Sequence, residues 1–219
     1  MPKAACTTIK NYLHFMDKGF HHPEPLEIHK FTDDLFLTFD NNRGDIYDKF
    51  YDSVFFTFVR HPIRRAYSLF NEKISNQWEY SFPDVRNMLI NTYGARFDKN
   101  DDADTVRSNF LKFLYFIKDT KEERIQFRKD HHWMPQFFVL SQATKFRTMD
   151  FIGKVESFDR DFRYVLDRCG YRDQFELKKF NEGPGSRIAY EAVANDEVRS
   201  LGHAIYARDF ENFGYKIDG

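Results

Sequence analysis

SVFFTFVRHPIRRAYSLF runs from Ser53 to Phe70. Its first seven residues, Ser53 to Val59, are almost wholly apolar and rich in β-branched and aromatic side chains. That is the pattern of a strand buried on both faces of a parallel sheet. His61-Pro62 follows at once, and proline is well tolerated at the first position of a helix. Ile63, Ala66, Tyr67, Phe70 and Ile74 then recur at helical spacing. A buried strand feeding directly into a helix is the unit of an open α/β sheet, whose ligands bind beyond the carboxyl ends of the strands. Arg60 stands at that end, and Ser68 lies eight residues further on, on the helix. A guanidinium offers a planar fork matched to phosphate oxygens. Taken alone, a strand-end Arg paired with a surface carboxylate is the commoner arrangement.

Outward from this unit the same alternation continues. Ile9, Tyr12, Leu13 and Met16 share one helix face, and Leu35 to Phe39 (LFLTF) reads as a strand. Helices are expected at Phe82, Val85, Met88, Leu89 and Tyr93, and at Val106, Phe110, Phe113, Leu114 and Ile117. A short strand, Phe151 to Val155, precedes a helical pattern at Phe158, Phe162, Val165, Leu166 and Cys169 that Gly170 closes. Asn181 to Arg187 (NEGPGSR) is a loop by composition, and a last helix is expected from about Asp196 to Phe210. The alternation predicts an α/β fold with a mainly parallel sheet.

The 219 residues suit one domain spanning 1–219. With 26 Phe and 12 Tyr, large rings are expected to dominate the core. A net charge of −1 argues against a chain that coats nucleic acid by bulk attraction, so an anion site must come from local clustering. Cys6 and Cys169 are the only cysteines, and they form neither a disulfide framework nor a zinc pattern. A reducing compartment is the simpler reading. No apolar run of 18 residues and no signal peptide is present.

The second chemistry-bearing stretch is PKAACTT, Pro2 to Thr8, which runs into the Ile9 helix. Small residues let the backbone bend closely round a ligand, and the N–H groups at a helix start carry a partial positive charge. Lys3 adds a full charge, and Thr7 and Thr8 add hydroxyls. Together they form a cradle for phosphate or sulfate. It is not a Walker A loop, since G-x-x-x-x-G-K-[ST] is absent. An ordinary helix start with a small-residue turn is the plain alternative.

PKAACTT followed by R-x7-S resembles the Golgi-type carbohydrate sulfotransferases of the chondroitin and HNK-1 kind and their bacterial relatives. Arg60, Pro62, Arg65, Ser68 and Lys73 match the family's R-x-P-x-x-R-x-x-S-x-x-x-x-K pattern. DHHWMPQ at Asp130 to Gln136 is similar to its H-W-x-P-Q segment, and DFIGKVE at Asp150 to Glu156 to its D-F-I-G-K-x-E strand. YARDFENFGY, Tyr206 to Tyr215, resembles its closing Y-x-x-D-F-x-x-F-G-Y. The match spans nearly the whole chain in order.

The resemblance implies a P-loop-like three-layer sandwich, a central mainly parallel sheet flanked by helices. It also implies 3′-phosphoadenosine-5′-phosphosulfate (PAPS) as sulfate donor, without a metal. Lys3, Ala4, Ala5, Cys6, Thr7 and Thr8 would hold the 5′-phosphosulfate, Arg60 and Ser68 the 3′-phosphate, and Arg187 would close over the nucleotide. The implied acceptor is a glycan or glycolipid hydroxyl, with no nucleic acid partner. Related 2-O-sulfotransferases use a His between the first helix and the Arg-bearing strand as general base, and other branches a Glu. His29 is the first choice for that role, with His21 and His22 nearby and Glu72 and His132 as competitors. Histidine accepts a proton near neutrality without a large shift.

Only Met1 precedes Pro2, where the family has an apolar strand before the PK motif, so a missing or truncated first strand is expected. A bacterial cytoplasmic enzyme is the expected setting, or the Golgi lumen if the chain is a fragment of an anchored eukaryotic enzyme. Two other functions compete: a P-loop-type nucleotide phosphotransferase, and a non-catalytic relative that keeps the fold. The basic run Arg124, Arg128, Lys129 and His131 reads either as a solvated face or as an attractor for an acidic glycan.

Overall fold

The computed structural model describes residues 1–30, 52–76, 82–144, 147–171, 177 and 188–218. The expected Leu35–Phe39 strand and the Asn181–Arg187 loop, with Ser186 and Arg187, lie outside them. The chain divides into two compact units, Met1–Val59 with Ser141–Gly183, and Arg60–Leu140 with Pro184–Gly219. The architecture is α/β, with a short parallel two-stranded sheet and helices among the described residues.

In the first unit, β1 (Phe56–Val59) and β2 (Phe151–Lys154) pair in parallel, Phe56 opposite Phe151 through Val59 opposite Lys154. β1 is shorter than its apolar run, and burial deepens along it: Phe56 and Thr57 are half-buried, Phe58 and Val59 buried. The backbone N–H of Phe55, one residue before the strand, donates instead to the Asp150 carboxylate at 2.8 Å. Gly153 in β2 has no side chain because the Phe58 ring fills its place; a Cβ there would lie 2.5 Å from the ring. Phe58, Phe158, Phe162, Val165 and Leu166 form the core with Tyr12. Tyr12 comes from α1 (Cys6–Lys18), and the last four from the helix after β2, Phe158–Arg168. That helix ends as expected, with Gly170 in the left-handed region at φ 82°.

The buried face of α1 departs from the apolar one expected. Thr7, Thr8, Asn11, Tyr12 and His14 are buried, while Ile9, Leu13 and Met16 are only half-buried. The polar members of this stripe have a task. Asn11 Nδ2 donates to the carbonyls of Thr7 and Pro25, each at 2.9 Å. His14 Nδ1 donates to the Phe20 carbonyl at 3.0 Å. They fasten the return of the chain, from Gly19 through the short 3₁₀ turn Pro25–His29, along α1.

The second unit is helical. α2 (Pro62–Leu69) widens into a π-helical turn over Phe70–Ser75. There follow α3 (Pro83–Asn91), α4 (Ala103–Lys121) and α5 (Gln136–Ala143), which begins in this unit. Numbering Phe158–Arg168 as α6, the last two are α7 (Tyr190–Val193) and α8 (Asp196–Phe213). α4 and α8 open on side-chain caps, Asp102 accepting from Thr105 N–H and Asn195 from Val198 N–H. The core joins Ile63, Phe70, Phe110, Phe113, Phe116, Trp133, Leu201 and Tyr206, so rings dominate it as composition predicts. None of the described helices is long and apolar enough to cross a membrane.

Candidate functional site

Helices normally offset the positive charge of their exposed N–H groups with an acidic residue in the first turn. α3, α4, α6, α7 and α8 do so. α1, α2 and α5 carry none. At α2 the His61 ring accepts from Arg64 N–H, and at α5 the buried Asp209 carboxylate accepts from the N–H groups of Gln136 and Phe137 at 2.8 and 2.7 Å. α1 differs, because its N-cap residue is Ala5, which has no side-chain acceptor. Lys3 and Ala5 both adopt left-handed backbone, φ 60° and 59°. Non-glycine residues rarely do so, and such conformations concentrate at ligand-binding sites. Successive N–H groups in a turn of this kind converge into a concavity suited to an anion.

The 3₁₀ turn that α1 holds brings His29 to this place. Its Nε2 lies 2.9 Å from Thr7 Oγ1 and 3.9 Å from Cys6 Sγ, and the ring is exposed. Burial pushes the Cys6 thiol up. The hydrogen bond and charge of His29, then the charge of the amino terminus and the Lys3 backbone N–H, outweigh this and bring it down to about 7. Lys10, one turn along α1, also faces Cys6. Ala4, Thr7 and Thr8 are buried, and Lys3, Ala5 and Cys6 are half-buried.

In the second unit, Arg60, Arg64 and Ser68 are half-buried, and every other residue from His61 to Phe70 is buried. They follow one another at four-residue spacing and form the accessible stripe of α2 and its approach. Arg64 is engaged by Glu191 at 2.6 Å and lies over the Tyr190 ring. Arg65 is 1% exposed and donates to the carbonyls of Met134 at 3.0 Å and His131 at 2.6 Å. Its match to the basic pattern is therefore met by a structural residue. Lys73 pairs with its neighbour Glu72 at 3.2 Å.

His132 donates from Nδ1 to the Asp130 carboxylate at 2.7 Å, and burial lowers its pKa despite that partner. Among the described residues, the Asp130–His131–His132 turn is the group whose potential metal-ligand atoms come within 4.8 Å of one another. Asp130 there already accepts from the His132 backbone and ring. The three Arg and Lys residues of the basic run are each paired with a carboxylate. Arg124 pairs with Asp119 and Glu122, Arg128 with Asp84, and Lys129 with Glu123. It forms a solvated face.

The structure thus gathers Lys3 to Thr8 with His29, and places Arg60 and Ser68 on one stripe. Sequence reasoning missed Asp209, although it stands within the YARDFENFGY segment. The signal was a carboxylate among Ile205, Tyr206, Phe210 and Phe213, on the buried side of an amphipathic helix.

The model of the Sulfotransferase family matches residues 1–216. Carbohydrate sulfotransferase 14 of Danio rerio is 25% identical over 170 residues, 78% of this chain and 44% of that protein. Carbohydrate sulfotransferase 11 is 21% identical in Mus musculus and 22% in Danio rerio, each over 99% of this chain and 63% of the relative. The chain therefore spans under two thirds of these relatives' length. No solved structure matches.

Proposed function

As a member of the sulfotransferase family, the chain is one that we propose moves a sulfuryl group from PAPS to a hydroxyl of a carbohydrate or glycolipid acceptor. The observation that carries this reading is the start of α1. Left-handed backbone at Lys3 and Ala5 and an N-terminus without acidic compensation make a seat for a doubly charged phosphosulfate. In this reading Lys3 to Thr8 hold the 5′-phosphosulfate. Arg60 and Ser68 hold the 3′-phosphate, Arg187 closes over the nucleotide, and the β1–β2 pair belongs to a P-loop-like three-layer sandwich.

The reaction is an in-line displacement at sulfur. The acceptor oxygen forms the new S–O bond as the bond to the 5′-phosphate oxygen breaks, leaving 3′-phosphoadenosine 5′-phosphate (PAP). Charge grows on the leaving phosphate, where the Lys3 ammonium and the N–H groups of the turn stabilise it. As the neutral imidazole, His29 takes the acceptor's hydroxyl proton on Nε2. Thr7 Oγ1 holds that nitrogen at 2.9 Å until the acceptor hydroxyl takes its place.

Transfer of labelled sulfate from PAPS to a panel of glycans tests the reading directly. Lys3→Ala is expected to lower the rate by roughly 100-fold, the scale for removing one donor to a developing anion. PAP at a hundredfold excess over its Kd should raise stability by about 2.7 kcal/mol, and ADP, lacking the 3′-phosphate, by much less at the same concentration. Equal protection would overturn the Arg60 and Ser68 assignment. Magnesium-dependent ATP turnover without sulfate transfer would favour the phosphotransferase.

A further inference from the structure

Arg60 is the first residue past the paired register of β1. One side chain engages both of its backbone polar groups. Gln136 Oε1 accepts from Arg60 N–H at 2.9 Å, and Gln136 Nε2 donates to the Arg60 carbonyl at 2.8 Å. A primary amide, carrying one acceptor and one donor, can close such a pair as a neighbouring strand would. Gln136 itself is fully buried.

Its own position is over-determined. Asp209, on α8 and also fully buried, accepts from the N–H of Gln136 and of Phe137, the first residues of α5. Arg65 holds the carbonyls of His131 and Met134. Tyr206 donates to the carbonyl of Trp133 at 3.0 Å. The segment from His131 to Phe137 is thereby pinned through its backbone by three buried side chains, and its outward-acting member is the Gln136 amide. A buried network satisfied in this way is rigid, because each bond lost leaves a desolvated group unpaired.

We propose that Gln136 is a positioning residue for nucleotide recognition, its amide fixing the Arg60 backbone so that the guanidinium is presented in one direction to the 3′-phosphate. The inference rests on the assignment of Arg60 to that phosphate. Glutamate cannot replace the amide, since its carboxylate would face the Arg60 carbonyl and lie beside Asp209, 3.5 Å from the present Nε2. Methionine keeps the length and loses both bonds. A residue that only supports the fold would affect all nucleotides alike. One that aims Arg60 affects only those bearing a 3′-phosphate.

The test compares PAP with adenosine 5′-phosphosulfate, which lacks the 3′-phosphate, by calorimetric titration of wild type, Gln136→Met, Arg60→Ala and the double variant. Gln136→Met is expected to weaken PAP about tenfold, or about 1.4 kcal/mol, and adenosine 5′-phosphosulfate by less than about twofold on the same scale. In the Arg60→Ala background, Gln136→Met should weaken PAP no further. Unchanged PAP affinity, equal weakening of both ligands, or full additivity in the double variant overturns the proposal. A wild-type chain that binds both nucleotides equally removes the Arg60 assignment first, an outcome distinct from a failure of Gln136 alone. Hydrogen exchange in the wild-type chain needs no variant. The Arg60 amide should exchange slowly and gain protection from PAP but not from adenosine 5′-phosphosulfate, and fast exchange at Arg60 with and without PAP overturns the clamp.

Discussion

Thr7, Asn11 and His14 fasten the Gly19–His29 return to α1 through bonds between residues at most 22 apart in sequence. Gln136 and Asp209 act across 76 and 73 residues. The first arrangement leaves His29 exposed and Lys3 and Cys6 half-buried, while the second removes Arg65, Gln136 and Asp209 from solvent. The difference matches the roles proposed for the two regions. A turn that admits a charged ligand has to keep its N–H groups and cation accessible, so it is held from one side by neighbours along the chain. A residue that must point one way needs partners that do not move, and burial with full hydrogen bonding supplies them.

Breaking the buried region should therefore cost most. Asp209→Ala leaves the N–H groups of Gln136 and Phe137 without their acceptor. At about 1–3 kcal/mol for each orphaned buried donor, the expected loss is about 4 kcal/mol, read as a fall in the urea midpoint. Thr7→Val, at the exposed region, should cost about 1 kcal/mol. Equal losses would erase the contrast. Burial raises the Asp209 pKa, against the pull of the Phe137 and Gln136 N–H groups and Arg65. The folded state then holds that proton more firmly than the unfolded state. The contribution is fully present below the ordinary carboxylate value of about 3.9 and is lost as pH rises through the folded-state pKa. Asp209→Asn keeps an acceptor and cannot ionise. Wild type should consequently lose stability relative to Asp209→Asn as pH rises from 4 towards neutrality.

The same contrast governs what a reading of the sequence reaches. Strand β1, its turn into α2 at Pro62, β2 and the Gly170 stop are written in contiguous residues, and each is found within a few positions of its expected place. PKAACTT is likewise local, and α1 starts within it, at Cys6. The buried face of α1 was misread because periodicity scores Thr7, Asn11 and His14 as solvent-facing, whereas their bonds to a returning chain bury them. α5 carried no clear helical period: Gln136 and Leu140 are its buried residues, and its start is fixed by Asp209 from the far end of the chain. A partner more than seventy residues away leaves no mark on a local pattern. Arg65 shows the converse, a basic residue in a motif whose charge faces inward to carbonyls.

Packing offers a smaller perturbation of each unit. A Cβ at Gly153 would meet three atoms of the Phe58 ring at 2.5–2.9 Å, and that ring is hemmed by Phe158 and Phe162 with centroids 5.1 and 6.1 Å away. A Cβ at Gly202 would meet Ile63 Cδ1 and Cγ1 at 2.7 Å. A locked ring yields less than an isoleucine, which has alternative rotamers. Gly153→Ala is expected to cost about 2–3 kcal/mol and Gly202→Ala about 1–2 kcal/mol, both by urea unfolding. The reverse order would show that the aromatic cluster of the first unit is the softer of the two.

The finest probe separates the exposed turn from ordinary surface by its chemistry. His29, the amino-terminal charge and the Lys3 N–H bring the Cys6 thiol down to about 7 against the effect of burial, whereas burial pushes the Cys169 thiol up despite Arg168. At pH 7 about half of Cys6 is thiolate and well under about a tenth of Cys169, so iodoacetamide should label Cys6 roughly tenfold faster, its partial burial offsetting some of the advantage. Because the folded pKa of Cys6 lies below the unfolded value, its ionisation stabilises the fold fully above pH 9, and this is lost as pH falls through 7. The labelling rate of Cys6 should level off above pH 7 while that of Cys169 still climbs. His29→Ala should move the Cys6 midpoint up towards the usual thiol value of about 8.5. A midpoint unmoved by that change would mean that the ring does not sit against the turn in solution, and would remove the geometric support for His29 as the proposed base.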